Sequence, residues 1–334
     1  MRYIVLCLCM LAWLLASCRP EKKEGETAGE PVHVSVVRLD KLLDDYVEFN
    51  NFSSLQRMNT EYTMQTKLLI EDIIGLGEVG DDHIYTQLKD YFSDPVLLRL
   101  LQDALVVFED MTPYEKRFDQ AFGYLRRHVP SLPIPQVYAQ FSALNESVVV
   151  TDTLVGFSVD KYLGADYPLY YQYYYDYQRR SMRPERIVPD CLVFYLMSRY
   201  PFPLDGYRTF LDLMLHYGKI HYVVAKALGR SSTAEQLDYT EAEYQWCKAN
   251  RKNVWDYMWQ HGHLHSTDPM LIRKYNKPAP STAFFGERAP ALVGIWMGTQ
   301  VVESYMKHHR DVTIAQLLEM TDYRALLEAS DFKP

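Results

Sequence analysis

Residues 130–159 read PSLPIPQVYAQFSALNESVVVTDTLVGFSV, and this stretch decides the fold class. Pro130, Pro133 and Pro135 end the helical pattern before it, because proline lacks a backbone N–H and disfavours helix in the residue it follows. Val137–Phe141, Val148–Val150 and Leu154–Val159 are then short β-rich runs. Asn145-Glu146 and Thr151-Asp152-Thr153 supply turn residues between them. Together they predict a small antiparallel meander.

On either side the period is that of helices. Val32–Val36 alternates and reads as a strand, followed by a helix over 39–49. Between 60 and 127 apolar residues recur every three or four positions, as in Leu97, Leu100, Leu101, Leu105 and Phe108. Ser93-Asp94-Pro95 opens a helix with proline in its first turn, and another helix runs from Pro113 to His128. Downstream, helices are expected over 185–199, 205–228, 240–259, 290–309 and 313–329, the last starting at the capping pair Thr313 and Gln316. The expected class is α+β, mostly α-helical with a small antiparallel sheet, in a single globular domain over 31–334.

Composition excludes several functions. The 334 residues are 48% hydrophobic, so the chain can bury enough apolar surface to offset its conformational entropy. Lys plus Arg number 35 against 43 Asp plus Glu, a net charge of -8 that gives no basic footprint for nucleic acid. Five cysteines cannot staple a chain of this length as a disulfide scaffold.

The N-terminus reads MRYIVLCLCMLAWLLASC. Arg2 precedes an apolar stretch, Tyr3 to Leu15, that is shorter than the ~20 residues of a membrane span but fits a signal peptide. Leu15-Ala16-Ser17-Cys18 has the form of a bacterial lipobox, which predicts a signal peptide over 1–17 and lipidation of Cys18. Acyl chains on that thiol would anchor the protein to a membrane, each buried CH₂ contributing about 0.8 kcal/mol. Arg19 is not an inner-membrane retention signal, so the outer membrane is the expected location. Residues 18–30 have no large apolar residue and read as a lipidated, flexible tether. Of the thiols left in the mature chain, Cys191 and Cys247 lie in apolar helical segments, where separate burial is expected over a disulfide.

Candidate metal ligands are few. His261, His263 and His265 alternate around Gly262 and would share one face of an extended segment. His216 and His221 lie in the most apolar helix, but a five-residue separation puts their rings about 140° apart. A His-Glu-x-x-His site needs an i, i+4 pair and a glutamate base. Tyr217 and Gly218 occupy those places in the two registers. Nucleophile elbows, phosphate loops and dinucleotide fingerprints are absent. The run Tyr170, Tyr171, Tyr173, Tyr174 and Tyr175 combines flat apolar faces with polar tips, which suits an interaction surface. Gly294 and Gly298 share one helical face and predict close helix packing.

Five segments carry a resemblance to a known family: Val159–Pro168, Met182–Asp190, Tyr217–Ile220, Tyr239–Glu241 with Gln245–Lys248, and Val293–Gly298. In their order and spacing the chain resembles the gliding motility lipoprotein GldB family. That family is similar to zincin-like metallopeptidases, which implies a zincin-like α+β fold with the metal helix around His216 to His221. The sequence lacks the ligands and base there, so the resemblance implies a degenerate, pseudoenzyme-like lipoprotein. Where the family tends to have Pro-Gly-Arg, this chain has Pro290-Ala291-Leu292. The expected function is a non-catalytic envelope component of gliding machinery, anchored in the membrane, contacting other envelope proteins and using no cofactor or nucleic acid. The alternatives are a divergent zinc hydrolase drawing on His216, His221, His261, His263 or His265, and a glycan- or peptidoglycan-binding lipoprotein.

Overall fold

The proline-flanked stretch does form three strands, but not a meander. In the computed structural model, which describes residues 31–205 and 208–334, the sheet holds β1 (Val37–Arg38), β2 (Gln136–Gln140), β3 (Val148–Val150) and β4 (Leu154–Ser158) in the order β1-β2-β4-β3. β1 pairs with β2 and β2 with β4 in parallel, and only β3 with β4 is antiparallel. The sheet is therefore mixed, which corrects the antiparallel expectation. Asp160 supplies the reason. Fully buried just after β4, its carboxylate accepts the backbone N–H groups of Ser142 (3.0 Å) and Leu144 (2.5 Å). This pins the connection after β2 so that the chain passes to the outer edge before the tight β3–β4 hairpin turns back. β4 then fills the gap beside β2. The signal segment 1–17, Cys18 and the tether 18–30 lie outside the described residues.

Between β1 and β2 come α1 (Leu39–Phe49), α2 (Phe52–Thr60), α3 (Thr63–Lys67, continued as a π-helical turn over Leu68–Ile73), α4 (Ile84–Phe92), α5 (Pro95–Val107) and α6 (Thr112–His128). After β4 come α7 (Tyr170–Tyr173), α8 (Asp176–Arg179), α9 (Ile187–Arg199), α10 (Phe210–Ala227), α11 (Thr233–Gln236) and α12 (Glu241–Gln260). The chain finishes with α13 (Pro269–Asn276), α14 (Val293–His308), α15 (Ile314–Glu319) and α16 (Tyr323–Ala329). The molecule is thus α+β and mostly helical.

Helix starts follow their local chemistry. Asp94 accepts the N–H groups of Val96 (2.8 Å) and Leu97 (3.2 Å), with Pro95 in the first turn of α5. Thr209, Thr240 and Thr313 form reciprocal capping boxes with Asp212, Glu243 and Gln316, each satisfying donors that the helix itself leaves open.

Two further expectations are corrected. Val32–Val36 is not a strand: Val34 and Val36 donate their N–H groups to Asp119 (2.6 Å) and Glu115 (2.9 Å) of α6, so helix side chains replace a strand partner. The helix expected over 313–329 is two. Lys219 reaches in from α10 and donates to the carbonyls of Leu318 (3.1 Å) and Met320, and Asp322 restarts the chain by capping Ala325 (3.0 Å).

α10 is the central helix of the C-terminal half, buried along most of its length. Its contact with α14 is the most extensive between two helices, and glycines mark the crossing. Cys191 and Cys247 are separate, buried, free thiols. No described helix is long and apolar enough to cross a membrane.

Candidate functional site

A cleft of about 970 Å³ opens among α9, α10, the first turn of α12, the segment after α13 and the start of α14. Arg180 and Arg186 line one wall, Arg183 lies between them in sequence, and each of the three holds an acid. Arg180 makes a bidentate pair with Glu243 (2.6 and 2.7 Å) and donates to the backbone carbonyl of Asp238. Arg183 pairs with the Asp238 carboxylate. Arg186, only 9% exposed, pairs with Asp190 one helical turn on (2.6 Å) and donates to the Gln236 carbonyl (3.0 Å). Tyr162 donates its hydroxyl to the other Asp190 oxygen (3.2 Å). Burial works to raise the Glu243 pKa, yet hydrogen bonds from Arg180 and Thr240 hold it below the usual glutamate value.

Across the cleft the polar groups are not all paired. The Asn276 side chain is 5% exposed, and neither its oxygen nor its nitrogen has a hydrogen-bond partner. His221 Nδ1, Arg186 Nε and Asp238 Oδ2 are likewise buried without one. Burial, reinforced by the charges of Arg186 and Arg230, lowers the His221 pKa to about 3, so its ring is neutral at physiological pH. α14 begins at this cleft with no side-chain cap, and Asn276 Oδ1 lies where a Cβ on Gly294 would fall.

The histidines expected as metal ligands fall into separate groups. His221 faces the cleft, whereas His216, on the far side of α10, bonds Nδ1 to the Tyr323 hydroxyl (3.0 Å). The run from His261 to His265 is not extended: Gly262 is left-handed (φ 67) and His263–His265 form a 3-10 turn. His261 Nδ1 bonds to the Tyr257 carbonyl (2.9 Å) and His263 Nδ1 to the Tyr275 hydroxyl (2.8 Å). The rings of His261 and His263 stay 5.6 Å apart, but the extended face of three histidines does not form. Among the described residues no cluster of three or more His, Cys, Asp or Glu side chains is placed to hold a metal.

The tyrosine run splits by face. Tyr170 is fully buried, donating to the Asp160 carbonyl (2.5 Å) and accepting from the Leu163 N–H (3.0 Å), so it cannot belong to an interaction surface. Tyr174 is half-buried against Lys161 (2.8 Å) and the Leu144 carbonyl (3.0 Å). Tyr171, Tyr173 and Tyr175 are exposed, and Tyr175 with Tyr177 forms the lip of the cleft. Sequence reasoning missed the cleft's arginines and acids as a group. The signal was nonetheless there: each of the five segments that carried the family resemblance contributes a lining residue, namely Tyr162, Arg186 with Asp190, Tyr217, Tyr239 and Ile295.

A sequence model of the family described as gliding motility protein GldB matches residues 20–334. The chain belongs to that family. No curated protein and no solved structure matches this GldB-family chain.

Proposed function

We propose that the protein is a lipid-anchored component of the cell envelope, in the outer membrane, that serves gliding motility by binding other envelope components and not by catalysis. Membership of the GldB family supports the motility role. The lipobox ending at Cys18 supports the anchor. In this reading α10 stands where a zincin-like peptidase would carry its metal helix, with the chemistry lost.

The observation that carries the non-catalytic reading is the fate of His216 and His221. One is bonded to Tyr323 on one side of α10, and the other faces the cleft on the opposite side. A metal needs converging ligands, and a hydrolytic site also needs a positioned base. Here the acids lining the cleft, Asp176, Asp190, Asp238 and Glu243, are each held by an arginine.

Elemental analysis of protein purified without a metal-affinity tag tests this reading. Substoichiometric metal is expected, and one zinc per chain would overturn it. The anchor is tested separately: Cys18→Ala should move the protein from the membrane fraction to the soluble one, and retention in membranes would refute lipidation as the anchor.

A further inference from the structure

The cleft holds several buried polar atoms without a hydrogen-bond partner in the protein, and such atoms are nearly always bonded to something else, water or a ligand. We propose that the cleft is a binding site for a neutral saccharide. This goes beyond the motility role and does not depend on it.

Charge comes first. Arg180, Arg183 and Arg186 each already hold a carboxylate, so an anionic ligand would meet Asp190 and Asp238, and a cationic one Arg186. The charges in the interior of the cleft are thus matched among themselves, and the lining cation outside these pairs, Lys277, is exposed, so the interior favours an uncharged ligand. Second, the open valences are of both kinds. Arg186 Nε can only donate, while Asn276 offers its amide N–H groups and its carbonyl oxygen side by side. A hydroxyl both donates and accepts, so a ring bearing adjacent hydroxyls matches groups of both kinds. A peptide main chain presents its N–H and C=O groups in fixed alternation. It is usually received by an exposed strand edge, and here no strand residue lines the cleft.

Third, the lip is aromatic. The rings of Tyr175 and Tyr177 are nearly parallel (8°, centroids 5.8 Å apart), and Tyr175 is 72% exposed. A flat apolar face of this kind can cover the C–H face of a sugar ring while its hydroxyls point inward. The uncapped first turn of α14 adds backbone donors at the same end as Asn276.

The test is binding of chitotetraose, maltotetraose and cellotetraose to the intact protein in a detergent without sugar headgroups, followed by calorimetry or tyrosine fluorescence. Binding of at least one is expected, weakened about tenfold by Tyr175→Ala and by Asn276→Ala, each of which removes roughly one good contact. Tyr173→Ala, exposed in the same run but away from the cleft, should bind normally. Tyr175 is at the surface, so its variant should fold even if the Asn276 variant does not. No binding of any of the three at about 1 mM, or binding that ignores both cleft variants, would overturn the proposal. So would selective binding of an extended neutral peptide with none of a sugar. Metal analysis bears on none of these outcomes, so this proposal and the non-catalytic reading can fail independently.

Discussion

Gly218 of α10 lies directly against Gly298 of α14: a Cβ on Gly218 would fall 2.4 Å from the carbonyl carbon of Gly298, and one on Gly298 would fall 2.0 Å from the carbonyl oxygen of Met214. Both neighbours are backbone and cannot rotate away. The two central helices therefore touch main chain to main chain, and this sets the position of every cleft residue they carry.

Gly298→Ala should accordingly cost more than the ~1–3 kcal/mol typical of overpacking, because helix axes and not side chains must move. The urea midpoint of the purified variant measures this, with Ala225→Gly in α10 as a helix-propensity control. A midpoint within error of the parent would show that the helices can separate cheaply and that the crossing does not depend on the glycine pair.

His216 makes stability depend on pH. Burial, then the charge of Lys219, lowers its pKa from 6.5 to about 4. The folded state thus favours the neutral ring. Its contribution is fully present above pH 6.5 and is lost as pH falls toward 4, where the folded state can also take up the proton. Within that window the slope from one such group approaches ~1.4 kcal/mol per pH unit. His216→Gln should flatten the fall in stability between pH 6.5 and 4.5, leaving the part due to His221. Parallel curves for parent and variant would rule out His216 as a source.

The same residues show what the sequence could reveal. Caps were legible because they are local: Asp94-Pro95 and the pair Thr313 and Gln316 announce α5 and α15 within four residues. The order of strands was not, because the turn at 151–153 looks the same whether or not a gap is left for β4. That gap depends on the Asp160 carboxylate holding Ser142 and Leu144. The histidine alternation misled because a left-handed Gly262 converts an apparent strand into a turn. The cleft was hidden for a related reason. Arg186 and Asp190 at i, i+4 look like a solvated helix pair, and Asn276 looks like a turn residue, until residues 162 to 295 are brought together.

Arg186 and Asp190 should behave as a buried pair, since the arginine is 9% exposed. Arg186→Met alone leaves the Asp190 carboxylate without its counter-charge and is expected to cost about 3–5 kcal/mol. Adding Asp190→Leu removes that stranded charge, and the double variant should recover most of the loss. A double-mutant cycle in urea reads the coupling. Additive losses would mean that the carboxylate is solvated once the arginine is gone.

Lys219 is 1% exposed, and its ammonium donates to the carbonyls of Leu318 (3.1 Å) and Met320 while lying 5.2 Å from the centre of the Tyr323 ring. It closes the C-terminal end of α15, where a helix leaves carbonyls open and its dipole favours a cation. Burial lowers its pKa to about 8, so it is still mostly charged at neutral pH. Lys219→Met keeps the stem but strands those carbonyls, at a cost of ~1–3 kcal/mol, offset in part by removing a buried charge. The loss should be local before it is global. Amide exchange over 314–329 should speed up while α10 and α14 stay protected, since the glycine crossing does not involve the lysine. Faster exchange spread evenly over the C-terminal half would mean that α15 and α16 are held by their apolar faces and that Lys219 is only accommodated between them.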